Sequence, residues 1–350
     1  MSNRLIVSSP PYLKTGETAH CLMFDVFVAS VPIVAASTFF FGPRALWIIF
    51  LSMSSAVLTE ALIQILFKAP GFRFKPFLYS FLTNDDITVL DGSALVTGLL
   101  LAFTLPPSSP FWVPVVGSFV AVAIGKQVFG GMGYNIFNPA LVGRAFILAA
   151  WPGKATSFTE TISWSAWAHS LGINPTSWVI DGISTATPLA LLKLQSQATP
   201  PLDLIIGSVP GSLGETSAIA ILFGAAYLLY KGTISWHIPV SFVGTVLLLS
   251  FVLGENPVFH IFAGGLLLGA FFMATDVVTS PVTKWGRLVF GAGAGAVTLL
   301  VRIYGAYPEG VCYSILLMNA LTPLIDRYTF RTYQNPIGEV SATKGERSEN

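Results

Sequence analysis

The stretch ALWIIFLSMSSAVLTEALIQILF, residues 45–67, decides the fold class. It has the length and apolar character of a helix that crosses the hydrocarbon core of a bilayer, which takes about 20 consecutive apolar residues. Runs of the same kind, full length or somewhat shorter, recur at about 22–41, 93–105, 112–129, 136–151, 216–230, 234–253, 257–275, 286–303 and 310–326. Composition agrees. Of the 350 residues, 53% are hydrophobic and 10% charged, against about 25% charged in a soluble domain, and the mean hydropathy is +0.71. Lipid offers the backbone no hydrogen-bonding partner, so segments of this length cross as helices. The expected fold is all-α: one integral membrane domain over residues 1–350, polytopic, with about ten transmembrane helices.

Lysine and arginine set the orientation. With the N-terminus in the cytoplasm, the cytoplasmic segments collect Arg4, Lys14, Lys68, Arg73, Lys75, Lys126, Lys231, Lys284, Arg287, Arg327, Arg331, Lys344 and Arg347. The opposite side keeps Arg44, Lys154, Lys193 and Arg302. This positive-inside bias, with ten spans, places both termini in the cytoplasm and residues 152–214 outside. Met1 to Ala19 is too polar for a signal peptide, so the first span is expected to stay as an anchor. The formal net charge of +1 and the lack of a basic patch give no footprint for nucleic acid. Cys21 and Cys312 lie at opposite ends of the chain and imply no disulfide framework.

The 152–214 segment reads as an ordered extramembrane loop with a short helix, and it holds Asp181-Gly-Ile-Ser184-Thr185-Ala186-Thr187-Pro188-Leu189. Threonine followed by proline, before the apolar run Leu189 to Leu194, is a strong helix start. Such a start gathers free N–H groups and the positive end of the helix dipole, which suit a phosphate. The plainer reading is that Thr187 only caps a short surface helix.

Other segments carry more glycine, asparagine and charge than lipid-facing helices tolerate. The run GGMGYNIFNPALVGR, residues 130–144, interrupts the fifth span. Its glycines let a backbone approach a ligand, Asn135 and Asn138 supply donors and acceptors, and Arg144 at membrane depth calls for an anionic partner. Gly211 to Ser217 opens the sixth span as a second glycine-rich helix start, in which Gly214 and Thr216 offer backbone amides and Glu215 could fix a ribityl hydroxyl. Ala274-Thr275-Asp276 ends the eighth span. Arg302 to Gly310, with Tyr304, Tyr307 and Glu309, links the last two spans on the side of Thr187. Asp91-Gly-Ser-Ala-Leu, Trp112-Val-Pro114 and Asn138-Pro139-Ala140 are echoed about 124 residues later by Glu215-Thr-Ser-Ala-Ile, Trp236-His-Ile-Pro239 and Ala263-Gly264-Gly265. Three spans fall within that offset, so the copies would be inverted across the membrane, with a site or pathway where they meet. Asp91, Glu215 and Asp276 are the candidate carboxylates of an ion path, the alternative being helix-end residues at the water boundary.

Hydrolase, phosphate-loop and zinc-protease signatures are absent from the sequence, and no nucleophile–base pair stands out. No catalytic or metal-ligating residue is therefore named.

The motif Asp-x-x-Ser-x-Ala-Thr-Pro-Leu resembles the flavinylation motif of a family formed by the D subunit of Rnf complexes, which are ion-translocating ferredoxin:NAD oxidoreductases, and the B subunit of Na⁺-translocating NADH:quinone reductases. The run at 130–144, Gly-Glu-Thr-Ser at 214–217, Ala-Thr-Asp-x-x-Thr-Ser-Pro at 274–281, Tyr-Pro-Glu-Gly at 307–310 and Met-Asn-x-x-x-Pro-Leu-Ile-Asp at 318–326 are similar to segments of the same family. The likeness covers nearly the whole chain. Thr185 stands where the quinone reductase subunit tends to have glycine, which favours the Rnf side. The resemblance implies FMN joined by a phosphoester to Thr187, with Asp181, Ser184, Thr185, Ala186 and Pro188 around it. Asn135, Asn138, Arg144, Gly214, Glu215, Thr216, Arg302 and Tyr307 are the further candidate cofactor contacts.

It also implies a second, non-covalent flavin such as riboflavin, iron–sulfur and flavin partner subunits, a flavin transferase for maturation, and residence in a bacterial inner membrane. Electron transfer would be coupled to Na⁺ or H⁺ movement within a translocase. A small-solute channel or transporter without a redox cofactor is the alternative that the inverted repeat and broken spans support.

Overall fold

The computed structural model describes residues 18–68, 91–159, 161, 184–195, 199–305 and 309–329. Asp181 and Tyr307 lie outside them, as do both termini. The protein is an all-α, polytopic membrane protein. Helix α1 covers Ala19–Phe41, α2 Pro43–Lys68, α3 Ser93–Phe103, α4 Trp112–Ala123 and α5 Pro139–Ala150. After the loop region come α9, Ala218–Lys231, and α10, His237–Val252. The chain closes with α13, Lys284–Tyr304, and α14, Val311–Thr329. Between α10 and α13 a single span is broken into α11, Pro257–Phe262, and α12, Leu266–Leu268, which runs on as a π-helical turn over Gly269–Met273.

By length and composition, four helices among the described residues can cross a bilayer unaided: Ala19–Phe41, Pro43–Leu66, Trp112–Phe129 and Lys284–Tyr304. The apolar helices α3, α5, α9 and α10 are shorter. Two expectations about interruptions are corrected. Asn138-Pro139 does not interrupt the fifth span but starts it: Asn138 Oδ1 accepts from the amides of Ala140 and Leu141, and Pro139 takes the first helical position. The interrupted span is the eighth. It opens on Asn256-Pro257, whose Asn256 Oδ1 accepts from Val258 and Phe259 in the same way. That pair, rather than Ala263-Gly264-Gly265, is the structural counterpart of Asn138-Pro139.

The span breaks where Gly264 adopts φ 66. A broken helix at membrane depth frees carbonyls that must be satisfied from within. Arg302 does this, donating to Ala263 O at 2.9 Å and to His260 O.

The loop region is more structured than one helix. It holds α6, Pro152–Ala155, then a two-stranded antiparallel ladder of β1, Phe158–Thr159, on β2, Ser184–Thr185, then α7, Pro188–Gln195, and α8, Pro201–Ile206. Phe158 pairs with Thr185, so the ladder fixes the chain two residues before Thr187.

Helix contacts use small residues and hydroxyls, as expected where hydrophobicity gives no drive to associate. Ser52 Oγ on α2 donates to Gly98 O on α3 at 2.6 Å and meets Ser118 Oγ on α4 at 2.8 Å. Helices α3 and α9 run between the same two regions in opposite directions. The start of α3 and the end of α9 line one cavity, through Ser93, Val96, Thr97, Leu228, Thr233 and Ile234. At the other end Gly214 and Leu213, just before α9, donate to Phe103 O and Leu105 O, at 2.8 and 3.0 Å. This antiparallel arrangement is what an inverted repeat with α3 and α9 in equivalent places requires.

A Cβ on Gly214 would stand 2.4 Å from Phe103 Cβ. Gly214→Val is therefore expected to destabilise the protein by about 1–3 kcal/mol, the usual cost of overpacking, read as a lower unfolding midpoint in detergent. An unchanged midpoint would show that this contact is not a constraint.

Candidate functional site

Thr187 begins α7 as the sequence predicts. Its Oγ1 accepts the Ala190 amide at 3.3 Å and its carbonyl accepts from Leu191 at 2.9 Å. The side chain is 6% exposed. It faces a small cavity that it shares with Pro188, Gly211, Glu215, Thr216, Gly264 and Glu309. Ala186 is exposed. Thr185 Oγ1 is buried with no hydrogen-bond partner among the described residues. Lys193, in the last turn of α7, donates to Arg302 O at 3.0 Å and to Gly305 O. It thereby ties this short helix to the C-terminal carbonyls of α13, the end of a helix that favours a cation.

Behind the Thr187 cavity lies a second small one, lined by Thr104, Leu141, Arg144, Met273 and Cys312 and sharing Glu215 and Glu309 with the first. Arg144, 2% exposed, meets Glu309 Oε2 at 3.2 Å and donates to Ala155 O at 3.4 Å. Glu215 sits within the electrostatic reach of Arg144, Arg302 and Glu309. Two carboxylates and two guanidiniums thus occupy one region, in which both guanidiniums are buried and Glu309 is partly exposed.

The third cavity is larger, about 790 Å³ and partly open. Its polar lining is Ser93, Thr97, Lys126, Asn135, Asn138, Thr233, Thr275 and Asp276. Asn135 Nδ2 donates to Phe137 O at 3.1 Å, and Asn138 Nδ2 to Met273 O at 3.0 Å. Asp276 lies beyond the end of its span. Burial raises its carboxyl above the ordinary range, opposed by the Thr279 hydroxyl at 3.1 Å and the Val278 amide.

The candidate residues therefore divide. Thr187, Pro188, Glu215, Thr216 and Arg144 gather around the two adjoining cavities, whereas Asn135, Asn138 and Asp276 belong to the third. Asp91 stands beside the third, accepting from Ser93 N and Ser93 Oγ at 2.8 and 2.5 Å. The three ion-path candidates are thus not one cluster. Two assignments change. Gly214 has its amide committed to Phe103 O, so it offers no donor to a phosphate. Arg302 is not in an outer linking segment: it is 4% exposed in the last turn of α13 and holds the broken span together.

One site escapes the sequence reading entirely: Glu60, wholly buried inside the apolar run 45–67, pairs with Lys126 at 2.6 Å. Lys126 is therefore a buried partner and not the cytoplasmic surface charge that the orientation argument makes of it. A lone carboxylate within such a run is the signal that could have found the pair.

The fold and this arrangement define a polytopic membrane protein with charged cavities at two levels between antiparallel short helices. The chain belongs to the NQR2, RnfD, RnfE family, which it matches over residues 6–334. It is 45% identical over 329 residues to the D subunit of the Na(+)-translocating ferredoxin:NAD(+) oxidoreductase complex of Acetobacterium woodii, covering 93% of each chain. To the D subunit of the proton-translocating ferredoxin:NAD(+) oxidoreductase complex of Clostridium ljungdahlii it is 42% identical over 344 residues, covering 93% of this chain and 95% of the relative. The D subunit of an ion-translocating oxidoreductase complex of Stutzerimonas stutzeri is 39% identical over 330 residues, 87% and 89% of the two chains.

Arg144 is buried and Glu309 partly exposed, so breaking this pair is expected to cost less than a fully buried one would, on the order of 1–3 kcal/mol. Arg144→Met is expected to show a loss of that order in thermal unfolding, and Arg144→Met with Glu309→Gln to regain most of it. Equal losses in the single and double variants would mean that the two side chains are not coupled.

Proposed function

We propose that this chain is the membrane subunit of an ion-translocating ferredoxin:NAD oxidoreductase complex and carries electrons through FMN attached by a phosphoester to Thr187. The observation that carries the reading is Thr187 itself, a hydroxyl at a helix start on the wall of an internal cavity. The surrounding residues fit the group. The helix start favours a phosphate, the Thr185 hydroxyl lacks a partner among the described residues, and the carboxylates of Glu215 and Glu309 are balanced by Arg144 and Arg302. Flavin would supply the one- and two-electron chemistry that no side chain here offers.

The protein's own part is to hold and to exclude. β2 and α7 fix Thr187 in place, Lys193 anchors α7, and Leu189, Leu204 and Phe262 keep water from the cavity. For a second, non-covalent flavin of the riboflavin kind the fitting site is the larger cavity, with Asn135, Asn138 and Lys126 as its polar groups. Iron–sulfur and flavin partner subunits, a flavin transferase, an inner membrane location, and a Thr187 loop outside with both termini inside complete the proposal. Na⁺ or H⁺ is the coupled ion, as in the names of the two relatives at 45% and 42% identity. The antiparallel short helices also suit a small-solute transporter. That reading predicts no flavin absorbance after denaturation.

Thr187→Val is expected to abolish the flavin fluorescence of the protein band on a denaturing gel, while Thr185→Val keeps it. An undiminished band in Thr187→Val would sink the assignment.

Sidedness has its own check, in a background with Cys21 and Cys312 replaced by serine. Leu194 and Tyr328 are each 80% exposed. In intact cells an impermeant thiol reagent should label Leu194→Cys and spare Tyr328→Cys. The reverse pattern would overturn the orientation.

A further inference from the structure

The Glu60–Lys126 pair has an uneven geometry. Three donors converge on one oxygen of Glu60: Lys126 Nζ at 2.6 Å, Gln127 Nε2 at 2.8 Å and Gln64 Nε2 at 3.2 Å all point to Oε1. The other oxygen, Oε2, is buried and has no hydrogen-bond partner among the described residues. Lys126 also donates to Ser93 Oγ, and both Lys126 and Ser93 line the larger cavity, which Glu60 does not reach. One buried ammonium therefore stands between a cavity and a buried carboxylate.

In a medium of low dielectric an ammonium neutralises one nearby anion well and cannot serve two. A negative charge appearing in the cavity competes with Glu60 for Lys126. Glu60 would then be left with too little compensation, and its open oxygen, Oε2, is where a small cation can bind. The other groups facing Glu60 do not supply one. They are Gln64 on α2 itself, Gln127 beside Lys126, and Asp91 at the start of α3, which adds negative charge. The carboxylate of α1, Asp25, is engaged by Tyr227 and Thr233, and Asp276 lines the same cavity as Lys126.

We propose that Glu60 is a cation-uptake site gated by Lys126, so that each electron placed in the larger cavity is matched by one H⁺ or Na⁺ taken up at Glu60. The proposal rests on the reading of that cavity as a non-covalent flavin site. The balance is simple. One electron, delivered by the low-potential iron–sulfur donor of the complex, adds one negative charge in the cavity. One H⁺, forming an O–H bond, or one Na⁺, forming an oxygen contact, adds one positive charge at Glu60, and no covalent bond breaks. When the electron leaves, Lys126 returns to Glu60 and the cation is released.

The test uses the assembled complex as wild type, Glu60→Gln, and Glu60→Gln with Lys126→Met. The double variant is included because Glu60→Gln alone leaves Lys126 without its counter-charge. The midpoint potential of the acid-extractable flavin is followed by spectroelectrochemical titration against pH at fixed Na⁺, and against Na⁺ at fixed pH. For wild type the potential should move with one of the two cations, approaching about 59 mV per tenfold change for one electron and one cation. Both variants should lose that dependence, Glu60→Gln with its flavin retained because no residue lining the cavity is changed, and which titration loses it identifies the ion. Unchanged slopes in the variants would overturn the switch and leave the flavin reading standing. If wild type holds no extractable flavin, the cavity reading falls and the switch falls with it.

Discussion

Backbone groups at membrane depth have to find partners inside the protein, and each irregular segment of this fold is arranged around that demand. The carbonyls at the end of α3 accept from Leu213 and Gly214, and Leu213 O in turn accepts from Ser37 Oγ at 2.5 Å. The carbonyls freed by the break after α11 accept from Arg302. The π-helical turn of the same broken span gives its Met273 carbonyl to Asn138. Each repair draws in a polar side chain that an unbroken bundle would have no use for. Those repairs border the cavities, because a segment that leaves its helix cannot fill the space the helix would have filled.

The same scarcity of water governs the charges. Lys126 with Glu60 is a buried pair, and Arg144 is a buried cation paired with the partly exposed Glu309. Replacing such a pair with packed apolar residues is often neutral or stabilising, so stability alone does not account for keeping it. What the pairs provide is placement. Arg144 sets a positive charge on the wall of the inner cavity, and Lys126 sets another on the wall of the larger cavity. Each is held by a carboxylate on an element distant in sequence.

Much of this is legible in the residues themselves because the bilayer allows few solutions. Long apolar runs mark the helices, Thr187-Pro188 marks the start of α7, and the excess of polar residues at 130–144 and 211–217 marks the segments that border cavities. Residue-level roles are harder to read. Asn138-Pro139 has one spelling for two meanings, a broken span or a started one, and only the neighbouring carbonyl of Met273 decides. Arg302 lies near a predicted loop boundary, where a shift of a few residues carries it from surface to core. Gly214 suggests an available amide, whereas its missing Cβ is what Phe103 requires. Glu60 is hidden because one carboxylate barely changes the hydropathy of a long run, and its partner, Lys126, sits at a helix end where a lysine is ordinary.

The larger cavity and the Thr187 side lie at opposite ends of α3, whose 11 residues correspond to about 16 Å of helix. Across that length the structure offers packed apolar side chains such as Leu99, Leu101 and Phe103, all buried. A charge placed at either end lies nearest the ion pair beside it. Coupling between electrons and ions then does not require a cation to pass close to an electron carrier through a continuous file of carboxylates, which the separation of Asp91 and Asp276 from Glu215 argues against. Under the proposal made above, it would require that a carrier share its compensating cation with a carboxylate that can exchange that cation for one from solution. Lys126 between its cavity and Glu60 meets this condition, since one oxygen of Glu60 accepts from three donors and the other has no partner among the described residues.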